Sequence, residues 1–524
     1  MTVAAPASTI SAGYAEPSAW KMPTTSIAVR LFLTCWIVFV LHFATDIVRE
    51  IYPALALGDH LSFRVDEYAD MHPDLFEKEG YGWHIGNNPG ASMLAAIPYA
   101  LARPLIDLIV ERVREDRTAN GLSEPPGYDS PWPMGRDFYA EAWRRGFDIK
   151  FGLAAFVIQA LCMAPISALG VVVMFFVLRQ VFLSDRTALW LALLYGFGTP
   201  VFFRTGFLNH NMMIGHLTFM GFVVLWNPSD SDRWSSRARF LVAGLAGGGA
   251  VLLDYSGVVL LLGLFAYGLC KHRMGGGSAR DVVEHGAVYV IGSLPPIALL
   301  WLYQWRSFGH ALYPGQHWMP PVEWTELGYQ GFGFPQVELF WALGFDYRFG
   351  LFATSPLLLL ALAALFVDRG EHRRLPLLEA TALLAICLAL WVFFSGSNYT
   401  RLQFNTGVRY MAPTFPFLFV LAGVVLMRLP RPLLYLVAVL SVTQSWCLAM
   451  FREVELGLGV LQPVAEIFLG GPQLPTVTVM SRMQAYQRFV DPVLSPILLF
   501  LLVGAIIWGI WTVHPPPRAG DIGV

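Results

Sequence analysis

Apolar stretches of about 17–25 residues, long enough to cross a bilayer core, recur along most of the chain. They run approximately over 27–45, 155–178, 187–203, 211–226, 239–253, 256–270, 286–303, 350–367, 376–394, 410–427, 432–450 and 494–512. The pattern predicts an all-α polytopic membrane protein with about 12 transmembrane helices, extracytoplasmic loops and interfacial helices. Around Asp254 the apolar run breaks, which leaves one interrupted span or two short ones. Residues 90–110 are apolar too, but Pro98 and Pro104 interrupt them and the charged run ERVREDR follows. This segment is expected to lie at, or dip into, the membrane interface.

Basic residues fall on alternate loops. One set holds Arg179 and Arg186; Arg233, Arg237 and Arg239; Lys271, Arg273 and Arg280; Arg369, Arg373 and Arg374; Arg428 and Arg431. The short loops between them carry only Arg204, Arg401 and Arg409. Basic loops stay in the cytoplasm, so both termini are expected there. An additional span over 90–110 would reverse the alternation. The long loops over 46–154, 304–349, 395–409 and 451–493 then share the extracytoplasmic side, which is periplasm or exterior for a bacterial inner (plasma) membrane, or lumen in a eukaryote. Residues 1–26 read as a polar cytoplasmic tail before a retained first span, 27–512 as the membrane domain, and 513–524 as a second cytoplasmic tail.

Composition supports this reading. The chain is 56% hydrophobic and 14% charged, whereas soluble domains carry about 25% charged residues. A net charge of -2 argues against nucleic acid as a partner. Cys35, Cys162, Cys270, Cys387 and Cys447 lie in or beside apolar runs, without metal-ligand spacing, and read as small apolar fillers.

Polar groups that could carry chemistry cluster in the outer loops. Asp66 and Glu67, in FRVDEYAD, are adjacent carboxylates suited to a general base. Solvated loop charges are the plainer reading. In GWHIGNNPGAS, His84, Asn87 and Asn88 precede Pro89 and a helix start whose free N–H groups favour an anion; an ordinary helix-entry turn is the alternative. Asn209, His210, Asn211 and His216 mark the outer end of one span, where hydrogen bonding to neighbouring helices is expected before metal binding. The loop over 304–349 is rich in aromatics, among them Trp305, Tyr313, Trp318, Trp324, Tyr329 and Trp341. Such rings stack on sugars or anchor helices at the interface. Asp346 and Arg348 are placed to pair with each other. Arg401 and Arg409 offer forked donors that fit a phosphate, or else snorkel at the interface. No dedicated metal cluster is visible, although Asp66 with Glu67 could recruit a divalent cation.

Together these segments resemble the GT-C membrane glycosyltransferases, in particular the protein O-mannosyltransferase and lipid A aminoarabinose transferase relatives. DEYAD is similar to the acidic motif of that family's first outer loop, and NNPGASMLAAIPYAL to the Pro-containing turn and interfacial helix after it. FGHALYPGQHW, GFGFP and GLFATSPLLLLALAAL resemble the following loop and span, and GVRYMAPTFPFL the entry to a late span. The matches keep the family's order over about 46–430. The resemblance implies inverting transfer of a sugar from a polyprenyl-phosphate donor to an acceptor hydroxyl, at an extracytoplasmic site. It implies Asp66 as general base with Glu67 assisting, and Arg409 with Arg348 or Arg401 holding the lipid phosphate. His84, Asn87, Asn88, Trp318 and Asp346 would contact substrate. Many relatives place a Lys before the Pro-containing turn; here the position reads Asn87-Asn88. Other readings are a transporter or flippase for a lipid-linked or polar substrate, and a non-catalytic scaffold. A transporter should bury ionisable groups near mid-bilayer, whereas these spans are nearly charge-free. The sugar and the acceptor (glycan, lipid or protein) are not specified by the sequence.

Overall fold

A computed structural model describes residues 23–231, 233–323, 325–401, 408–454 and 457–512. Trp324, residues 1–22 of the first predicted tail, the whole of the second and part of the loop before Arg409 lie outside these residues. The chain is an all-α polytopic membrane protein. Nine helices among the described residues are long and apolar enough to cross a bilayer, and shorter apolar helices accompany them.

The order begins with α1 (Thr24–Leu41) and α2 (Ile51–His60), then a hairpin of β1 (Leu75–Lys78) and β2 (Gly82–Ile85). Next come α3 (Gly90–Ala119), α4 (Pro133–Arg144), α5 (Asp148–Ile158), α6 (Ala164–Phe182), α7 (Asp185–Phe197), α8 (Val201–Arg204) and α9 (His210–Trp226). They are followed by α10 (Ser236–Leu253), α11 (Gly257–Met274), α12 (Ala279–Phe308), α13 (Val337–Phe345), α14 (Leu351–Thr354), α15 (Ala364–Val367) and α16 (Leu377–Ser395). The last are α17 (Phe415–Leu426), α18 (Arg431–Met450), α19 (Gln462–Gly470), α20 (Pro475–Arg482) and α21 (Leu494–Thr512).

Local chemistry sets the boundaries. Ser184, Asn209, Ser235 and Ser278 each accept a backbone N–H from the first turn of α7, α9, α10 and α12, satisfying donors that a helix start leaves open. α5 and α6 form one continuous rod through a π-helical turn at Gln159–Met163. Pro165 follows that turn, and its missing N–H breaks the regular ladder there. The widened turn is pinned by Gln159, whose Nε2 donates to the carbonyls of Phe39 and Thr205.

Asp254 separates two helices rather than kinking one. α10 and α11 fold back on each other, with Gly257 against the Ala250 backbone and Gly247 against Leu261. α12 lies across α10 at an equally close approach. A Cβ on Gly248 would fall 2.4 Å from the Ser293 carbonyl oxygen, and one on Gly292 would fall 2.2 Å from that of Leu241. Small residues let membrane helices touch backbone to backbone.

α3 does not cross the bundle. Its N-terminal Gly90 is seated against Leu252 at the end of α10, and Arg117 near its other end forms a bidentate pair with Asp148 at the start of α5, at 2.9 and 2.8 Å. Both anchors belong to the same end of the helix bundle, so thirty residues lie across that end. Leu94, Ile97, Leu101, Leu105 and Leu108 form an exposed stripe at helical spacing, a face suited to lying on acyl chains.

Candidate functional site

The loops at this end enclose a cavity of about 2460 Å³. The segment between α1 and α2 lines one wall with Asp46, Arg49 and Glu50. The β-hairpin adds a second. Glu79, Gly80 and Tyr81 form its turn, with positive φ at Gly80 and Gly82. Phe76 packs beside Tyr303 and Phe308. The hairpin thereby holds His72 and Asp74 on one flank and Asn87 on the other, all facing the cavity. Arg204, Asn209 and His210 arrive from the α8–α9 corner, Asp254 from the α10–α11 turn, Arg409 from before α17, and Arg452 from after α18.

Glu50 is the hub. Its carboxylate Oε1 lies 2.9 Å from His210 Nδ1 and 3.5 Å from Arg49 Nε, and accepts from Asn87 Nδ2 at 3.0 Å. Its backbone carbonyl accepts from Ser92 Oγ at 2.7 Å, tying it to α3. Burial opposes the charge on Glu50, but His210, Arg49 and Arg409 together hold its pKa well below the usual carboxylate range. Asp74 behaves alike. Burial opposes its charge, and Arg49, His72 and Arg409 outweigh that and lower it. Arg49 Nη1 reaches Asp74 Oδ2 at 2.5 Å. Asp46, 30% exposed in its side chain, meets Arg452 Nη2 at 3.1 Å.

The cationic side of the cavity carries three arginines. Arg452 and Arg409 both lie close enough to Arg204 to repel its charge. Phe207 receives two of them on its ring, Arg204 at 5.2 Å and Arg452 at 4.7 Å from the centroid. Like charges gathered in a part-buried cavity favour an anionic occupant.

Of the residues singled out in the sequence, Asn87, Asn209, His210, Asn211, Asp254, Tyr329 and Arg409 line this cavity. Asp66, Glu67, His84, Asn88, Trp318, Asp346, Arg348 and Arg401 are not among its lining residues. Asp66 is exposed, pairs with Arg64 at 2.6 Å and accepts from the Trp83 backbone N–H at 2.7 Å. Glu67 lies beside His60 at 3.9 Å. His84 approaches the Tyr81 carbonyl at 3.1 Å with its ring edge-on to Phe308, and burial lowers its pKa. Asn88 Nδ2 donates to the Val251 carbonyl at 2.7 Å, fixing the entry of α3 to α10. Trp318 stacks on His310, under the Lys78 ammonium 3.9 Å away. Asp346 and Arg348 do pair, at 3.2 Å. Arg401 binds Glu338 at 3.3 Å and Gln336 at 3.1 Å. His216 is buried and reaches Ser167 Oγ at 3.3 Å.

A cation at the acidic loop finds a poor set of ligands. Asp59, His60 and Glu67 could converge on one ion, but Asp59 is already held by Lys150 at 2.7 Å, Arg103 at 3.1 Å and Tyr99 at 2.9 Å. Asp66 is turned to Arg64 instead.

The residues that sequence reading passed over are Asp46, Arg49, Glu50, Asp74 and Arg452. One signal was available for the first three: TDIVRE places three charges immediately beyond the first apolar run, where a charge is costly without a purpose.

No protein-family model matches the chain, and no curated protein matches it. Among solved structures, the chain is similar to ArnT from Cupriavidus metallidurans bound to undecaprenyl phosphate, with TM-score 0.48 and 14% sequence identity over 93% of this chain and 76% of that one. It is also similar to the same protein in the apo state, with TM-score 0.45 and 14% identity over 93% and 75% of the two chains.

Proposed function

We propose that the chain is a membrane glycosyltransferase that moves a sugar, with inversion, from a polyprenyl-phosphate donor to an acceptor hydroxyl on the extracytoplasmic side. The observation that supports this most is one cavity at the outer end of the spans, lined by carboxylates and arginines from segments far apart in sequence. The motif resemblance points the same way.

In this reading Arg409 and Arg204 receive the lipid phosphate, while Arg452 holds Asp46. The acceptor oxygen attacks the anomeric carbon as the bond to phosphate oxygen breaks. The departing phosphate keeps the bonding electrons, and fixed guanidinium groups stabilise the charge that develops on it. Asp46 takes the hydroxyl proton. Its carboxylate is partly open to the cavity, whereas Glu50 is enclosed and Asp74 is held low, which weakens it as a base. Glu50 positions Asn87, His210 and Arg49. The base role that the motif resemblance implied for Asp66 passes to Asp46, because Asp66 faces Arg64 outside the cavity. Ionisable groups gathered at the span ends, rather than at mid-bilayer, favour transfer chemistry over transport.

The test is to incubate purified protein with a panel of polyprenyl-phosphate sugars and follow release of the free lipid phosphate with and without candidate acceptors. Acceptor-dependent release that disappears in Asp46→Asn supports the proposal. If no donor is consumed while the lipids still bind, the enzyme reading fails.

A further inference from the structure

A second cavity, of about 350 Å³, opens at the opposite, basic end of the bundle. Phe176 on α6 and Val223 and Val224 on α9 form an apolar slot, and Phe176 is 42% exposed. Above the slot the lining turns polar. Asn227 closes α9 in a left-handed conformation, with φ 50. Its side chain accepts the Ser231 N–H at 3.2 Å, which closes residues 227–231 into a turn beside the slot. Arg239 donates to the Ser231 carbonyl and steadies the same loop. Arg233 and Arg239 both line the polar part, and Trp234, 47% exposed, stands at its edge.

We propose that this cavity binds an anionic phospholipid of the leaflet at the basic end. One acyl chain lies in the Phe176–Val223–Val224 slot and the phosphate meets Arg233 and Arg239. Three features fit that occupant together. The volume lies within the range of ligand pockets, about 300–1,000 Å³. The lining changes from apolar to cationic over one helix end, as a lipid does from chain to headgroup. The loops at this end are the basic ones, which face the leaflet rich in anionic lipid. An exposed Trp at the same level is the usual marker of the headgroup layer. The site is separate from the large cavity and does not depend on the transferase reading.

The experiment is native mass spectrometry of the full chain in mild detergent, titrated with phosphatidylglycerol or with phosphatidylcholine of the same chains. The expected result is preferential retention of phosphatidylglycerol, reduced about fivefold by Arg233→Gln, on the scale of one cation at a charged surface. Val223→Trp fills the slot and should also lower retention while leaving both arginines in place. Arg431→Gln, at the same end but outside the cavity, should change nothing. Equal losses in Arg431→Gln and Arg233→Gln would reduce the effect to bulk surface charge and overturn the site. Displacement of the lipid by inorganic phosphate at equal concentration would show that the cavity reads only the anion, and the lipid assignment would fall.

Discussion

Glu50 and His210 meet at 2.9 Å, joining the segment between α1 and α2 to the start of α9. The contact closes one side of the large cavity. It also fixes the loop that carries Asp46 and Arg49, since those residues share a short connection between α1 and α2 with Glu50. The pair is nearly enclosed, with side chains 9% and 6% exposed, and removing one member of such a pair leaves the other uncompensated.

Glu50→Ala should therefore lower stability by about 3–5 kcal/mol, read as a fall in the thermal unfolding midpoint in detergent. An unchanged midpoint would mean that the contact contributes nothing. The pH dependence carries a definite sign. Glu50 and Asp74 have folded pKa values below their unfolded ones. The stability they contribute is full above the unfolded carboxylate value of about 4–4.5 and is lost as pH falls through the folded values. Acidification below about pH 4 should destabilise the wild type, and Glu50→Gln should flatten that dependence.

Asp46→Asn should reduce sugar transfer about 10²–10⁴-fold, the usual range for a lost general base, while donor lipid still binds. Asp66→Asn should leave transfer within about twofold, as expected of an exposed side chain away from the cavity. A steady-state assay on both variants separates the two carboxylates. The reverse outcome would return the base role to the DEYAD motif.

The arginines divide the same way. Arg409→Ala should weaken donor binding by about tenfold or more, on the scale of a charge-assisted hydrogen bond to phosphate. Arg348→Ala and Arg401→Ala should change it little, because Arg348 is engaged by Asp346 and Arg401 by Glu338 and Gln336. Equilibrium binding of a fluorescent polyprenyl phosphate distinguishes them. Equal losses in all three would mean a general electrostatic effect rather than a placed phosphate site.

Gly248→Leu should separate α10 from α12. Even a Cβ there meets the Ser293 backbone, and overpacking costs about 1–3 kcal/mol or more. The expected readout is a lower unfolding midpoint together with weaker donor binding, because the α10 end carries Asp254 and seats α3 through Leu252. Wild-type behaviour in this variant would show that the close approach is dispensable.

Hydrophobic period and loop charge alone determined the membrane class, the helices and their approximate bounds. Those signals are local, since a run such as 494–512 or 377–395 must be helical in lipid to satisfy its own backbone. The Asp346–Arg348 pair was legible as well, because it needs only two residues of chain. The cavity was not legible in this way. Asp66 and Asp46 are both carboxylates between α1 and α3; the Asp66–Arg64 pair spans only two residues of chain, but nothing local shows that Asp46 meets Arg452, 406 residues away. That choice is made by the β-hairpin, by Asn88 bonding to Val251, and by Gly90 against Leu252. Contacts between segments so far apart depend on how the helices pack, and the hydrophobic pattern constrains which faces are buried but not which polar ends converge.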